Sequence, residues 1–296
     1  MKKEQNQTIY RLPENRYKCI CDLMLEAPHI LIGGTTGSGK SVLIDALIYT
    51  IITTKTPQEA HLCFCDPKRV TFTKYRHLPH VERLETEPAE IIQLLREVVE
   101  TMENRYKRMQ SAGVVDYDGT AIYIVIDEIA DLMTTCKKEI VPIIQRVAQL
   151  GRASNIHLIC ATQCPNRKII PAELTVNFGG RVALRCLNAI ESRQILNTKG
   201  AETLPRYGTC IYLHSDGCYY TGEIPYFPDE IQRTIDFWLK QGTNKKIFKK
   251  TPCVVNPQKS GFSLIDALRG GKRLPVSRES RDDIETLNIL SLIDDD

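Results

Sequence analysis

From residue 29 onward, short apolar runs alternate with stretches in which apolar residues recur at helical spacing. The runs "HILIG", "HLCFCD", "IYIVIDE", "IHLICAT" and "GRVALR" are brief, rich in branched residues and followed by polar or glycine-containing sequence. Each reads as a strand of a mostly parallel central sheet flanked by helices, the α/β class. Strands that empty at one edge of such a sheet build a ligand site there. Ser41 to Ile51 reads as a helix, and so does Pro88 to Met109, with Ile91, Leu95, Val98, Met102, Tyr106 and Met109 along one face and Ser111-Ala112-Gly113 as its stop. A third helix is expected over Lys137 to Leu150, where Pro142 is tolerable only in the first turn. "FPDEIQRTIDFWLK" reads as a closing helix, after which the sequence turns basic and rich in Gly, Pro and Ser. These patterns divide the chain into an N-terminal arm (1–28), a body (29–240) and a basic, then acidic, tail (241–296).

Composition narrows the picture modestly. The 296 residues have an ordinary apolar content and a net charge of +3, so bulk charge does not announce a nucleic-acid binder. No apolar run reaches the roughly 18–20 residues that cross a bilayer, and "MKKEQNQTIYRLPENRYK" lacks a signal-peptide core, which points to a cytoplasmic location. Eleven scattered cysteines include the pairs Cys19/Cys21, Cys63/Cys65 and Cys160/Cys164, but nothing follows them at zinc-ligand spacing. Reduced, mostly buried thiols are expected.

The chemistry begins at "GGTTGSGKS", residues 33–41. Gly34, Gly39, Lys40 and Ser41 fit G-x-x-x-x-G-K-[ST] between an apolar strand and a helix, the context that a phosphate-binding P-loop requires. Glycines let backbone N–H groups crowd phosphate oxygens, Lys40 reaches the β/γ-phosphates and the Ser41 hydroxyl coordinates Mg²⁺. The nucleotide-binding set is therefore Gly34, Thr35, Thr36, Gly37, Ser38, Gly39, Lys40, Ser41 and Val42, with ATP and Mg²⁺ as the ligands. "IYIVIDE" ends in Asp127 and Glu128, carboxylates suited to bind the metal and to act as general base towards water; a helix N-cap is the other reading of such a pair. The additional strand "HLCFCD" between the two motifs, and the Glu beside the Asp, point to a RecA-like P-loop ATPase. "IHLICATQ" ends in Thr162 and Gln163, where Gln163 is placed either to sense a γ-phosphate or to cap a turn.

"PHILIGGTTGSGKSV", "DPK" at 66–68, "MENRYKRM", "IVIDEIADLM", "AQLGRASNIHLICATQCP" and "ESRQILNTKGAETL" together resemble, in order, motifs of the FtsK/SpoIIIE family of DNA translocases, within the HerA and FtsK superfamily of P-loop ATPases. The resemblance covers roughly residues 28–215. It implies a homohexameric ring that threads double-stranded DNA and hydrolyses ATP at subunit interfaces, with Lys40, Ser41, Asp127, Glu128 and Gln163 acting in cis. It also implies an arginine supplied in trans, for which Arg152 is the first choice and Arg181, Arg185 and Arg193 are rivals. Sequence-indifferent contact with DNA is expected from cations after Gln163, namely Arg167, Lys168 and Arg181; Arg167 and Lys168 equally fit a solvated turn.

Several positions depart from the family pattern. This chain has "ATQCP" where the family usually has "ATQRP", and Thr175 where a lysine is common, so grip on DNA is expected to be weaker or differently placed. Family members carry membrane anchors and often a C-terminal winged helix, whereas this sequence resembles a motor core of the kind a mobile element, plasmid or phage would use. The acidic, leucine-bearing segment "IETLNILSLIDDD" is a candidate docking segment for a membrane or DNA-processing partner. Two other functions fit the same motifs: an ATPase of a protein secretion system, or a nucleotide-dependent assembly protein.

Overall fold

The computed structural model describes residues 9–11, 17–167, 169–241 and 286–287. Its strands are β1 (Ile9–Arg11), β2 (His29–Gly33), β3 (Ala60–Cys65), β4 (Val81–Glu85), β5 (Ala121–Ile126), β6 (Ile156–Thr162), β7 (Gly180–Ala183), β8 (Thr209–Leu213), β9 (Tyr219–Glu223) and β10 (Thr286–Leu287). Its helices are α1 (Tyr17–Leu25), α2 (Lys40–Thr54), α3 (Pro88–Ala112), α4 (Ile129–Thr135), α5 (Lys137–Leu150), α6 (Ala172–Thr175), α7 (Ala189–Leu196) and α8 (Pro228–Lys240). The strands form one sheet in the order β10-β1-β9-β8-β7-β2-β6-β5-β3-β4. All neighbours from β7 through β4 are parallel; antiparallel pairing enters at β8 and at β10. In chain order "HLCFCD" separates the P-loop strand from the acidic strand. In the sheet it is β6 that lies between β2 and β5, while β3 sits on the far side of β5.

Alternation along β5 shows why the runs look uniformly apolar. Tyr123 and Val125 face α1, α2 and α8, whereas Ile122, Ile124 and Ile126 face α3, α4 and α5. Both faces are therefore dry, and every residue of β2 and β5 is buried. The long helix α3 starts on Pro88 in its first turn and stops at Gly113, whose φ of 68° is the left-handed region that glycine enters at little cost. Its expected apolar stripe holds, with Tyr106 only half-buried and its hydroxyl donating to the Leu150 carbonyl. Arg105, a buried residue on the same helix, donates to the carbonyls of Ser154 and Thr120 and so ties α3 to the lower ends of β5 and β6.

Three expectations change. Pro142 lies inside α5 rather than in its first turn; it is exposed, and so is Lys138, whose carbonyl loses its helical N–H partner where water can replace it. Residues 17–28, assigned to the N-terminal arm, belong to the body: Ile20, Cys21, Met24 and Ala27 are in the core with α2. Strands β4, β8 and β9 were not foreseen; β4, "VERLE", has only Val81 and Leu84 apolar and is half-buried throughout, so it carries no apolar run. The basic segments beyond residue 241, and most of the acidic segment near the C-terminus, lie outside the described residues. Nine cysteines among the described residues are free thiols, six of them buried; burial pushes the Cys63 thiol up to about 12.

Candidate nucleotide site

The loop between β2 and α2 is shaped by its glycines. Gly37 and Gly39 have φ of 77° and 100°, and a Cβ on Gly34 would lie 2.8 Å from the Leu184 Cβ and 2.7 Å from the Ser38 Oγ. Ends of neighbouring strands hold its back: the Gly34 N–H donates to the Thr162 carbonyl, and the Thr35 N–H and hydroxyl both donate to the Arg185 carbonyl. Gly34→Ala is expected to cost about 1–3 kcal/mol, because the Leu184 Cβ is not a flexible side-chain end that can swing aside. A thermal melt reads this as a lowered Tm, and unchanged stability would contradict the packing.

α2 opens at Lys40, so its first N–H groups have no helical acceptor and point out of the helix start. Ser41 is exposed in this first turn, while Val42 turns partly against the core. Lys40 is 6 % exposed, and among the described residues its ammonium makes no hydrogen bond or close ion pair. Burial holds it below its ordinary pKa, against the pull of Glu128 and Asp127. A largely buried ammonium drawn by two carboxylates, with the buried Ser38 hydroxyl of the same loop unpartnered among the described residues, leaves polar groups that a polyphosphate would satisfy. Thus the residues present fit a nucleotide.

Asp127 and Glu128 follow β5 directly, and both are nearly fully buried. Burial raises the Asp127 carboxyl above its usual range, opposed by a hydrogen bond from the Thr71 hydroxyl at 2.9 Å and by Lys68 and Lys40. A divalent cation supported by Asp127 and Ser41 would remove that penalty. Glu128 accepts the Gln163 N–H at 3.1 Å on both of its oxygens and pairs with the Lys68 ammonium at 3.3 Å. Glu128 stands at the N-cap position of α4, but its side chain makes no capping bond there. The Gln163 carbonyl Oε1 accepts the Thr36 hydroxyl at 2.7 Å, which links the end of β6 to the P-loop. Lys68 and Thr71 were not assigned roles from the sequence; "DPK" at 66–68 was the signal for the first, and nothing marked the second.

The FtsK/SpoIIIE family model matches residues 1–124 and 118–167. The chain belongs to the FtsK/SpoIIIE family. A DNA translocase FtsK of Chlorobaculum tepidum is 37% identical over 213 residues, which is 65% of this chain and 26% of the relative. One from Brucella melitensis is 32% identical over 259 residues, 73% of this chain and 32% of the relative. The chain therefore spans about a third or less of the length of these relatives. Among solved structures, the pCW3 conjugation coupling protein TcpA superposes with a TM-score of 0.64 at 24% identity, over 72% of this chain and 64% of that one. The cytoplasmic domain of the Thermomonospora curvata type VII secretion ATPase EccC gives 0.64 at 22%, over 71% and 28%. Both show the same P-loop ATPase fold. No helix among the described residues is long and apolar enough to cross a membrane.

Within this FtsK/SpoIIIE fold the cis residues converge, and the other candidates scatter. Arg152 is exposed just after α5, at the edge where β6 begins, whereas the P-loop meets β6 at its end. The seven residues of β6 put about 20 Å between the two edges, so Arg152 cannot serve its own site. Arg185 is exposed beside its own P-loop through its carbonyl, and Arg193 is exposed on α7. Arg181, expected among the DNA contacts, is engaged within its own chain. It lies in β7, not in a loop, and its half-buried guanidinium donates to the Ile195 carbonyl and to Asn197 Oδ1, fastening the end of α7. Arg167 is exposed on the segment after Gln163, which is pinned by the buried Ile170, Leu174 and Phe178; Lys168 lies outside the described residues. Thr175 is buried, with its hydroxyl on the Pro171 carbonyl, so a long cation at this place would need the segment to repack.

Proposed function

We propose that this chain is an ATP-hydrolysing motor that translocates double-stranded DNA as a homohexameric ring in the cytoplasm. The observation that carries the hydrolytic part is the buried Lys40, without a close partner among the described residues and drawn by Glu128 and Asp127, with Gln163 bridging from Glu128 to the P-loop. Lys40 and the N–H groups at the start of α2 bind phosphate oxygens and hold the terminal phosphoryl in line for attack. Glu128 orients water and accepts its proton, and Gln163, touching both Thr36 and Glu128, couples the state of the P-loop to that base. Ser41 and Asp127 would hold Mg²⁺, which supplies neutralisation of phosphate charge. Arg152, on the opposite sheet edge, is the residue we assign to a neighbouring subunit's site rather than to its own. The DNA part is supported by the identity to curated DNA translocases, and Arg167 is the cation on the described surface that we assign to phosphate contact. Which membrane or DNA-processing partner the tail recruits follows from the same reading and is open to pull-down with the tail segment.

Transport of protein instead of DNA is favoured by one observation, the equal TM-score with the EccC secretion ATPase. The higher sequence identity to DNA translocases outweighs it, and the complete Asp127/Glu128 pair argues against a purely assembling role. ATP turnover measured with long linear duplex DNA, with a peptide mixture and at two salt concentrations separates these readings. Stimulation severalfold by duplex and not by peptide, weakening as salt rises, is the expected result. Turnover raised by peptide and indifferent to duplex would contradict it.

A further inference from the structure

The segment joining β3 to the 3₁₀ turn at Thr73–Tyr75 runs across the ends of β3 and β5, and it grips both acidic residues of the site. Lys68 pairs with Glu128, while three residues further on the Thr71 hydroxyl donates to Asp127. Asp66 closes the loop on itself, accepting the N–H groups of Thr71 at 2.8 Å and Phe72 at 3.2 Å. The tip between the two grips faces outward: Arg69 pairs with Glu87 on the surface, and Val70 is 73 % exposed. With the Gln163 N–H shared between its two oxygens, Glu128 is held from two sides, and its Oε2 is occupied by a cation. A carboxylate engaged in this way must give up a protein partner at Oε2 before a water molecule can take that place.

Two features make the loop's closed arrangement costly. Arg69 has φ of 63°, a left-handed conformation uncommon for a residue with a side chain, and the buried Asp66 Oδ1 has no partner among the described residues. An element that must move during a cycle is drawn from marginally stable parts of a fold.

We propose that Lys68 is a positioning residue that restrains Glu128, and that displacement of the 66–72 loop releases the base for hydrolysis. The inference rests on the functional reading above and adds to it a brake built from the "DPK" segment. Its prediction is directional. Lys68→Ala raises ATP turnover measured without DNA roughly fivefold, the factor equivalent to about 1 kcal/mol for a partly exposed ion pair. The ratio of DNA-stimulated to unstimulated turnover falls correspondingly, while KM for ATP moves less than kcat. Lys68→Met, which keeps most of the apolar stem, behaves like Lys68→Ala, and Lys68→Arg, which keeps a cation in reach, stays closer to the wild type. A merely structural lysine would lower activity and Tm together. Steady-state turnover over a range of ATP concentrations, with and without linear duplex, on these three variants and Lys40→Ala decides the matter. Lys40-dependent turnover that does not rise in Lys68→Ala and Lys68→Met, or that falls in kcat, overturns the restraint alone. A wild-type chain without Lys40-dependent turnover overturns both the restraint and the functional reading beneath it.

Discussion

Lys40→Ala is expected to reduce ATP turnover by at least about 10²-fold while leaving the melting temperature unchanged or slightly higher. The loss follows from removing a preorganised cation at the place where phosphate charge develops, a change that costs about 10²–10³ in rate at comparable sites. The direction of the stability change follows from burial. Lys40 is desolvated and has no close partner among the described residues, so the folded chain carries its charge at a cost that alanine removes. Calorimetry beside a phosphate-release assay checks both. Loss of turnover together with a large drop in Tm would mean that Lys40 supports the fold rather than the substrate.

Glu128→Gln is the second large effect, with turnover reduced about 10²–10⁴-fold and nucleotide affinity retained. The amide is nearly the shape of the carboxylate, and its oxygen still accepts the Gln163 N–H, so the link from Thr36 through Gln163 stays in place. What disappears is a group that can take a proton, along with the charge that pairs with Lys68. Titration with a fluorescent ATP analogue and a single-turnover measurement separate the two. Affinity lost in step with turnover would show that Glu128 shapes the pocket and is not the base.

Much of this candidate site is legible in the sequence because its chemistry is local along the chain. The P-loop writes its glycines, lysine and serine within nine residues, and each glycine answers to a backbone angle or a close approach, as at Gly34 and Gly39. Strands β2 and β6 were legible to the residue, since buried parallel strands carry uninterrupted apolar runs. Contacts made across the sheet were not legible. Thr71 reaches Asp127 over 56 positions and Lys68 reaches Glu128 over 60, and neither residue type announces such a partner. The partners of Arg181 were illegible for a related reason: a basic residue after the site looks like a phosphate contact, and nothing in the sequence shows that from β7 its guanidinium reaches the end of α7. Half-polar strands such as β4 lack the uninterrupted signal on which the sheet was read.

The central claim is that hydrolysis moves the protein along duplex DNA, and a triplex-displacement assay tests it most directly. A third strand bound at the far end of a long linear duplex is released by a protein that travels to it. Release that requires ATP, is delayed in proportion to the length of duplex, and is absent with Lys40→Ala is the predicted result. ATP consumption stimulated by the same duplex without release of the third strand would contradict it.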